Sequence, residues 1–289
     1  MTKNFNIGLM LLLMFSFAKG FAQEKKAFAL FSQAGEPLTY QRILDSISKT
    51  DVVLFGEFHN NPISHWLQFE LASDLKKNNI NLILGAEMFE TDTQEVLDRY
   101  LSDSLAESDF RKKARVWTNY NTDYKPIVDF AKSTSTPFIA TNIPRPYATK
   151  IYKNGGFSAL DSLSQNEYKL MAPLPIPFDS ELNSYQNMLK MMGGHGGEDL
   201  VKAQAIKDAT MAHFILKNLK PNQVFFHLNG SYHSNDFEGI YWYLKTYNPD
   251  VNILTISTVE QNELNSLCEE HLNKANFIIA VDEDMTKTY

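Results

Sequence analysis

The feature that most constrains this chain is a series of short, nearly unbroken apolar runs separated by stretches of helical character. Residues 51–55 (DVVLF), 81–84 (NLIL), 137–141 (PFIAT), 224–228 (VFFHL), 251–256 (VNILTI) and 277–281 (FIIAV) each read as a strand. Strands that lack polar alternation need cover on both faces. The intervening stretches supply it. Residues 62–78 open on a helix-compatible Pro62 and close on Lys76-Lys77, which suits the helix dipole. Thr91-x-x-Gln94 reads as a capping box that opens the next helix. Residues 124–133 and 198–219 also read as helices, and 106–120 as an inserted helical stretch. The alternation predicts an α/β fold: a mainly parallel, doubly wound sheet with helices on both faces. Ala172-Pro-Leu-Pro-Ile-Pro-Phe178 is an extended connector. It leads into a helical lid insertion over 180–192, after which the strand–helix order resumes. We therefore expect residues 23–289 to form a single domain.

Residues 1–22 read as a signal peptide. Lys3 supplies the positive start, residues 7–18 the apolar stretch, and Gly20-Phe21-Ala22 the small residues of a cleavage site. The apolar stretch is short for a membrane span. The expected location is therefore the periplasm or cell envelope. The whole chain carries a net charge of −7, and losing Lys3 and Lys19 lowers this to −9. So acidic a chain, with no basic cluster, argues against nucleic acid and against strong membrane binding. Cys268 is the one cysteine. It cannot form an intrachain disulfide or a cysteine-based zinc site, and it lies far from any lipid-attachment position.

On a parallel sheet the carboxyl ends of the strands share one edge, where ligands bind. Four polar motifs follow predicted strands: Gly56-Glu57-Phe58-His59, Glu87-Met-Phe-Glu90, Asn142-Ile-Pro-Arg145 and Asn229-Gly-Ser-Tyr-His233. Two of them share the form Gly-x-x-His. Chance supplies roughly 0.3 such matches in a chain of this composition, so the shared strand-end context matters more than the pattern itself. Glycine would let the backbone turn off the strand so that the histidine points back over the edge. Glu57, His59, Glu87 and His233 are therefore candidate catalytic residues. His59, Glu87 and His233 are also candidate ligands of a divalent metal. The competing reading is structural: surface or core histidines, and carboxylates paired with Arg145 or bonded to buried backbone. His227, inside a strand, reads as structural, and His65 and His213, on helices, as ordinary. Gln204 and Asp208 fall at i, i+4 within the apolar arc of the 198–219 helix, and buried there they need partners. They either hold the site histidines from behind, as Asn142 and Asn229 could, or cap a neighbouring loop. Met188–Gly197 sets His195 among four glycines after a Met-rich turn. Met, His and Tyr are haem ligands, so Tyr185, Met192 and His195, with Arg145, are candidate haem contacts; the competing reading is a Met-rich helix packed as core and followed by a flexible glycine loop.

At these motifs the chain resembles the haem-binding ChaN-like family of bacterial envelope proteins. More distantly it resembles the wider group that holds erythromycin-esterase-like hydrolases and Tiki-type metalloproteases. The resemblance spans residues 45–260. It rests on Leu54-Phe-Gly-Glu-Phe-His59, Ala86-Glu-Met-Phe-Glu90, Asn142-Ile-Pro-Arg145, Ala203-Gln-Ala-Ile-Lys-Asp208 with Met211-Ala212, and Asn229-Gly-Ser-Tyr-His233. It implies haem binding in bacterial iron acquisition or storage, an α/β fold, and a homodimer clasping haem. The hydrolase relatives imply instead a metal-dependent or histidine-catalysed hydrolysis at His59, Glu87 and His233. Fusing residues 1–30 to a reporter that works only outside the cytoplasm should give signal and a processed chain. A silent reporter on an unprocessed fusion would remove the export reading.

Overall fold

The computed structural model describes residues 25–193 and 197–289. Strand β1 (Phe28–Ser32) comes first, then α1 (Tyr40–Ile47), β2 (Val52–Glu57) and α2 (Pro62–Lys77). Next are β3 (Leu82–Glu90), α3 (Gln94–Leu101), α4 (Glu107–Lys113), α5 (Lys125–Ser133), β4 (Phe138–Asn142) and α6 (Arg145–Lys153). The chain continues through α7 (Gln165–Tyr168), α8 (Asn183–Met191), α9 (Gly197–Asn218) and β5 (Val224–Gly230). It ends with α10 (Ile240–Tyr247), β6 (Ile253–Gln261) and β7 (Phe277–Asp282). The seven strands form one sheet in the order β1-β7-β6-β2-β5-β3-β4. Every neighbouring pair is parallel except β1 with β7.

The apolar strands are covered on both faces, as their composition requires. Val53, Phe55, Leu84, Phe226 and Ile279 pack with Leu71, Leu97, Phe110 and Val128 from α2 to α5. Val52, Leu54, Ile83 and Phe225 face the opposite layer, with Ile151, Val201, Ala209 and Leu244 from α6, α9 and α10. The signal-peptide stretch lies outside the described residues. Among those that are described, no helix is long and apolar enough to cross a membrane.

Three local expectations change. The strands run further than their apolar cores, so Glu57 and Glu87 lie inside β2 and β3 rather than beyond them. Pairing with β5 continues as far as Glu57 opposite Gly230, and that pairing, not apolarity, sets the length. The capping box does not form. Thr91 Oγ1 donates instead to Leu170 O at 2.6 Å. Gln94 spans the open side of edge strand β4, donating to Phe138 O at 3.0 Å and accepting from Ala140 N at 2.7 Å. An exposed sheet edge needs such cover. Finally, Gly56 and Gly230 keep ordinary negative φ, so neither is there for a sharp turn. Both are there for close approach: a Cβ on Gly56 would lie 2.9 Å from Ser231 Cα.

The extended connector lies against the body of the molecule. Tyr243 donates to Pro177 O at 2.9 Å, and Ala172 N donates to Thr210 Oγ1 at 3.2 Å. Gly85 shows how tight the sheet centre is. A Cβ there would sit 2.5 Å from the buried Phe225 ring. Gly85→Ala should therefore cost about 1–3 kcal/mol of stability by overpacking, read as a lowered urea midpoint with unchanged slope.

Candidate functional site

The strand ends gather Glu57, His59, Glu87 and His233 at one edge, in two histidine–carboxylate groups. The first is held by β2 and α2. His59 Nδ1 donates to Glu57 Oε1 at 2.8 Å, and Tyr124 OH donates to the same oxygen at 2.7 Å. Gln68 Nε2 donates to Glu57 Oε2 at 2.5 Å. The His59 carbonyl accepts from Asn119 Nδ2 at 2.8 Å and from His65 Nε2 at 3.1 Å. The ring of His59 meets Trp117 edge-on, with centroids 4.9 Å apart. Glu57 is fully buried, whereas a third of the His59 side chain is exposed. With Nδ1 committed to Glu57, the free proton-accepting position of the neutral ring is Nε2. Burial opposes a charge on His59. The Glu57 hydrogen bond and the field of Glu87 outweigh it, so its pKa lies above the ordinary histidine value.

The second group joins β3, α9 and the turn after β5. His233 Nδ1 forms an ion pair with Asp208 Oδ1, and its Nε2 lies 3.2 Å from Glu87 Oε1. The Gln204 amide sits 3.0 and 3.3 Å from the two ring nitrogens. Both nitrogens of a charged ring are donors, so the carbonyl end of that amide belongs against it. Glu87 Oε2 accepts from Gly230 N at 2.8 Å. The β3–β5 ladder has ended at Ala86 opposite Leu228, so this carboxylate satisfies a backbone donor beyond the ladder. A register shift between β3 and β4 falls between Ala86 and Glu90, the stretch that carries Glu87. Such irregularities re-aim side chains beside functional sites. A Cβ on Gly230 would meet His59 Nε2 at 2.8 Å and Glu87 Oε2 at 3.5 Å. The two groups therefore converge over that one glycine.

Burial disfavours a charged His233, yet Glu87 and Asp208 together push its pKa up to about 10. Burial likewise opposes ionisation of Glu87, but the His233 charge holds it well below the ordinary carboxylate range. Asp208 goes the other way: burial pushes its carboxyl up, and His233 only partly offsets this. Burial, helped by the neighbouring His233 charge, pushes His227 down to about 4. That ring bridges Thr141 Oγ1 at 2.7 Å and Asn229 Oδ1 at 3.1 Å within the sheet.

Asn142 Nδ2 donates to Glu87 O at 3.0 Å, fixing the backbone of the bulge. Asn229 Nδ2 donates to Gly230 O and to Ser234 Oγ, both at 2.9 Å, fixing the turn that carries His233. Of the two alternatives for Gln204 and Asp208, both side chains reach His233. Arg145 does not join the cluster. It is exposed on the wall of a cavity of about 620 Å³, with Glu90, Asp92 and Arg115. Arg115, not Arg145, pairs with those acids, at 2.7 Å and 2.5 Å. Tyr185 lies in the core instead of on an open lid face. Its hydroxyl is 3.4 Å from Asp208 Oδ2, and burial raises its pKa far above the ordinary tyrosine range. Met192 is half exposed and Met191 more so. His195 lies outside the described residues.

The sequence reading missed His65, Gln68, Asn119, Asp123 and Tyr124. Part of the signal was present. Asn61, Ser64, His65 and Gln68 share one face of the start of α2, and all four are buried. Polar residues concentrated on a buried helix face need partners, as Gln204 and Asp208 did.

Among the described residues no group of three His, Cys, Asp or Glu side chains is disposed to hold a metal ion. The donor chemistry explains why. A ligating imidazole must be neutral with a free nitrogen, and both nitrogens of His233 face carboxylates. The divalent-metal expectation for His59, Glu87 and His233 therefore does not fit this geometry.

The family model described as "Haem-binding uptake, Tiki superfamily, ChaN" matches residues 43–244. The chain belongs to this family. The ChaN of Campylobacter jejuni, solved in a study of its cofacial haem binding, superposes with a TM-score of 0.67 at 18% identity, covering 89% of this chain and 98% of that one. A Bacillus cereus protein gives a TM-score of 0.52 at 9% identity, over 83% of this chain and 90% of that one. An erythromycin esterase gives 0.47 at 9% identity, over 88% and 83%. No curated protein matches the sequence. At these identities the solved structures establish the shared ChaN-type α/β fold, and the family model establishes membership.

The two ion pairs of His233 carry a pH signature. A raised histidine pKa gives stability that is complete below the unfolded value, about 6.5, and lost as pH rises through the folded value, about 10. The depressed Glu87 gives stability complete above its unfolded value, about 4.5, and lost only as pH falls through its much lower folded value. Asp208→Asn removes one of the two carboxylates. It should bring the His233 titration, read by imidazole NMR, down toward the ordinary histidine range. The alkaline loss of stability should move down with it. An unchanged titration would contradict the assignment.

Proposed function

We propose that this chain is an exported ChaN-type protein that binds haem for iron acquisition or storage, on the face formed by Met191, Met192 and Tyr232. One observation carries this reading. Tyr232 is two-fifths exposed next to buried His233, and its hydroxyl lies 3.1 Å from the exposed Met191 sulfur. Large exposed apolar side chains grouped in this way mark a binding surface. Phenol and thioether are both haem-ligand chemistries, so the residues present fit the group. Bound haem would supply an iron centre for storage or delivery. The protein side supplies a surface phenol, soft apolar contacts and a rigid sheet edge beneath them. Arg145, on its cavity wall at the β3–β4 end of the same edge, is proposed to meet a haem propionate. Two copies could close over haem held on such an exposed face, as the family's homodimer expectation requires.

A second reading is favoured by the geometry of His59. Its Nδ1 is held by the buried Glu57 carboxylate oxygen, and its Nε2 has no hydrogen-bond partner among the described residues, on a ring that is a third exposed. That is the arrangement of a general base, with the carboxylate behind the ring fixing tautomer and orientation. His233, locked between two carboxylates, would then act as a fixed charge, not as a proton acceptor. A hydrolysis of small esters would run on His59 taking a proton from water.

Titrating haem into the mature protein tests the first reading. Tyr232→Phe should lose the ligand-dependent visible bands and weaken binding about tenfold or more, while the apo fold is unchanged. Unaltered spectra would remove Tyr232 as a ligand. The second reading is tested with small chromogenic esters: any turnover should fall about 100-fold or more in His59→Gln. Turnover that survives this change would exclude His59 as the base.

A further inference from the structure

We propose that Thr288 is a positioning residue for His59, and that the segment after β7 acts through it as a clamp on the loop that carries His59. The proposal rests on reading His59 as the site's free imidazole. After β7 the chain runs from the far side of the sheet back toward the end of central strand β2. There Thr288 N donates to Asn60 O at 3.0 Å. Thr288 Oγ1 donates to Asp123 Oδ2 at 2.7 Å. The same Asp123 oxygen accepts from Asn119 Nδ2 at 2.7 Å and lies 3.6 Å from His65 Nε2. Asn119 and His65 in turn donate to His59 O. Two successive carbonyls of the loop, those of His59 and Asn60, are thus fixed by one network with Thr288 at its far end.

The clamp works on a partly exposed stretch. Residues 58–60 leave β2 half-buried, and the His59 ring, a third exposed, has Trp117 against its edge and Gly230 beside its Nε2. Directing Nδ1 at Glu57 requires the His59 backbone to stay in register with a carboxylate fixed from β2. Asp123 is 4% exposed and Asn119 5%, so their side-chain partners are few and specific. A threonine supplies a backbone donor and a hydroxyl donor from one residue, which lets a single turn of chain hold both Asn60 and Asp123.

The test uses the full mature chain, the Thr288→Val and Thr288→Ser variants, and a chain lacking residues 288–289. The rate at which diethyl pyrocarbonate modifies His59 is mapped by mass spectrometry. Partly exposed His213 and His271 serve as internal controls. Losing one hydrogen bond should favour local opening about fivefold, so Thr288→Val should speed modification of His59 by about that factor, and the deletion by more. Thr288→Ser keeps the hydroxyl and should stay within about twofold of the parent. Nitrogen-15 spectra of the His59 ring should show a single tautomer in the parent and a mixture in the deletion. The controls should not change. Equal His59 rates and an unchanged tautomer in the deletion would overturn the clamp, as would equal acceleration at all three histidines. If His59→Gln retains ester turnover while the deletion still frees the ring, the base reading falls and the clamp stands.

Discussion

Glu87 and Asp208 enclose the His233 ring from two different parts of the fold, one from a bulged strand and one from a long helix on the sheet face. A buried imidazolium with both nitrogens answered is stable only when every part of that enclosure is in place. The β3 bulge must aim Glu87, α9 must present Asp208 and Gln204, and the turn after β5 must deliver the ring. Glu87 also closes the backbone where the β3–β5 ladder stops. One electrostatic arrangement thus ties the end of the sheet centre to the helical layer above it. Breaking it leaves an unpaired charge in a buried site, which is the costly case.

The second histidine has a different status. His59 is anchored through one nitrogen, and its other nitrogen looks toward the same glycine that Glu87 serves. The two groups share Gly230 because the sheet end leaves no room for a side chain there. Perturbed groups of this kind concentrate at functional sites. The exposed Met191 and Tyr232 pair lies immediately outside, reached through the turn that carries His233. Membership of the ChaN family points to haem as a ligand, and this outer face is where we propose that it binds. The inner cluster offers chemistry of a kind that a haem surface alone does not need.

Much of the fold was legible from residue order. Six apolar runs mark six of the seven strands, and their lack of alternation requires the two helical layers that the structure has. The seventh strand, β1 (Phe28–Ser32), was not read from the sequence; it precedes the first strand–helix unit and pairs antiparallel with β7, outside the parallel alternation. The helices α2, α5, α8 and α9 fall within a few residues of their expected bounds, because their end signals are local. The failed capping box at Thr91 shows the limit of local signals. Gln94 found a better partner in the open edge of β4, which no local pattern reveals.

The sequence by itself determined which residues stand at strand ends, since an apolar run followed by polar residues must stop being buried somewhere near the sheet edge. It therefore named Glu57, His59, Glu87 and His233, and the periodicity of α9 flagged Gln204 and Asp208. It could not divide the labour between the two histidines. That depends on which carboxylates approach each ring nitrogen, a matter of distances between segments far apart in the chain. Tertiary structure alone made His233 a doubly paired cation unsuited to metal, put Tyr185 in the core, and left Arg145 outside the cluster. It also brought Asn119, Asp123 and Tyr124 to the site from the turn before α5, and Thr288 from the segment after β7. Hydrogen bonds act over about 3 Å of space, whatever the separation in sequence, and only the folded chain fixes that space.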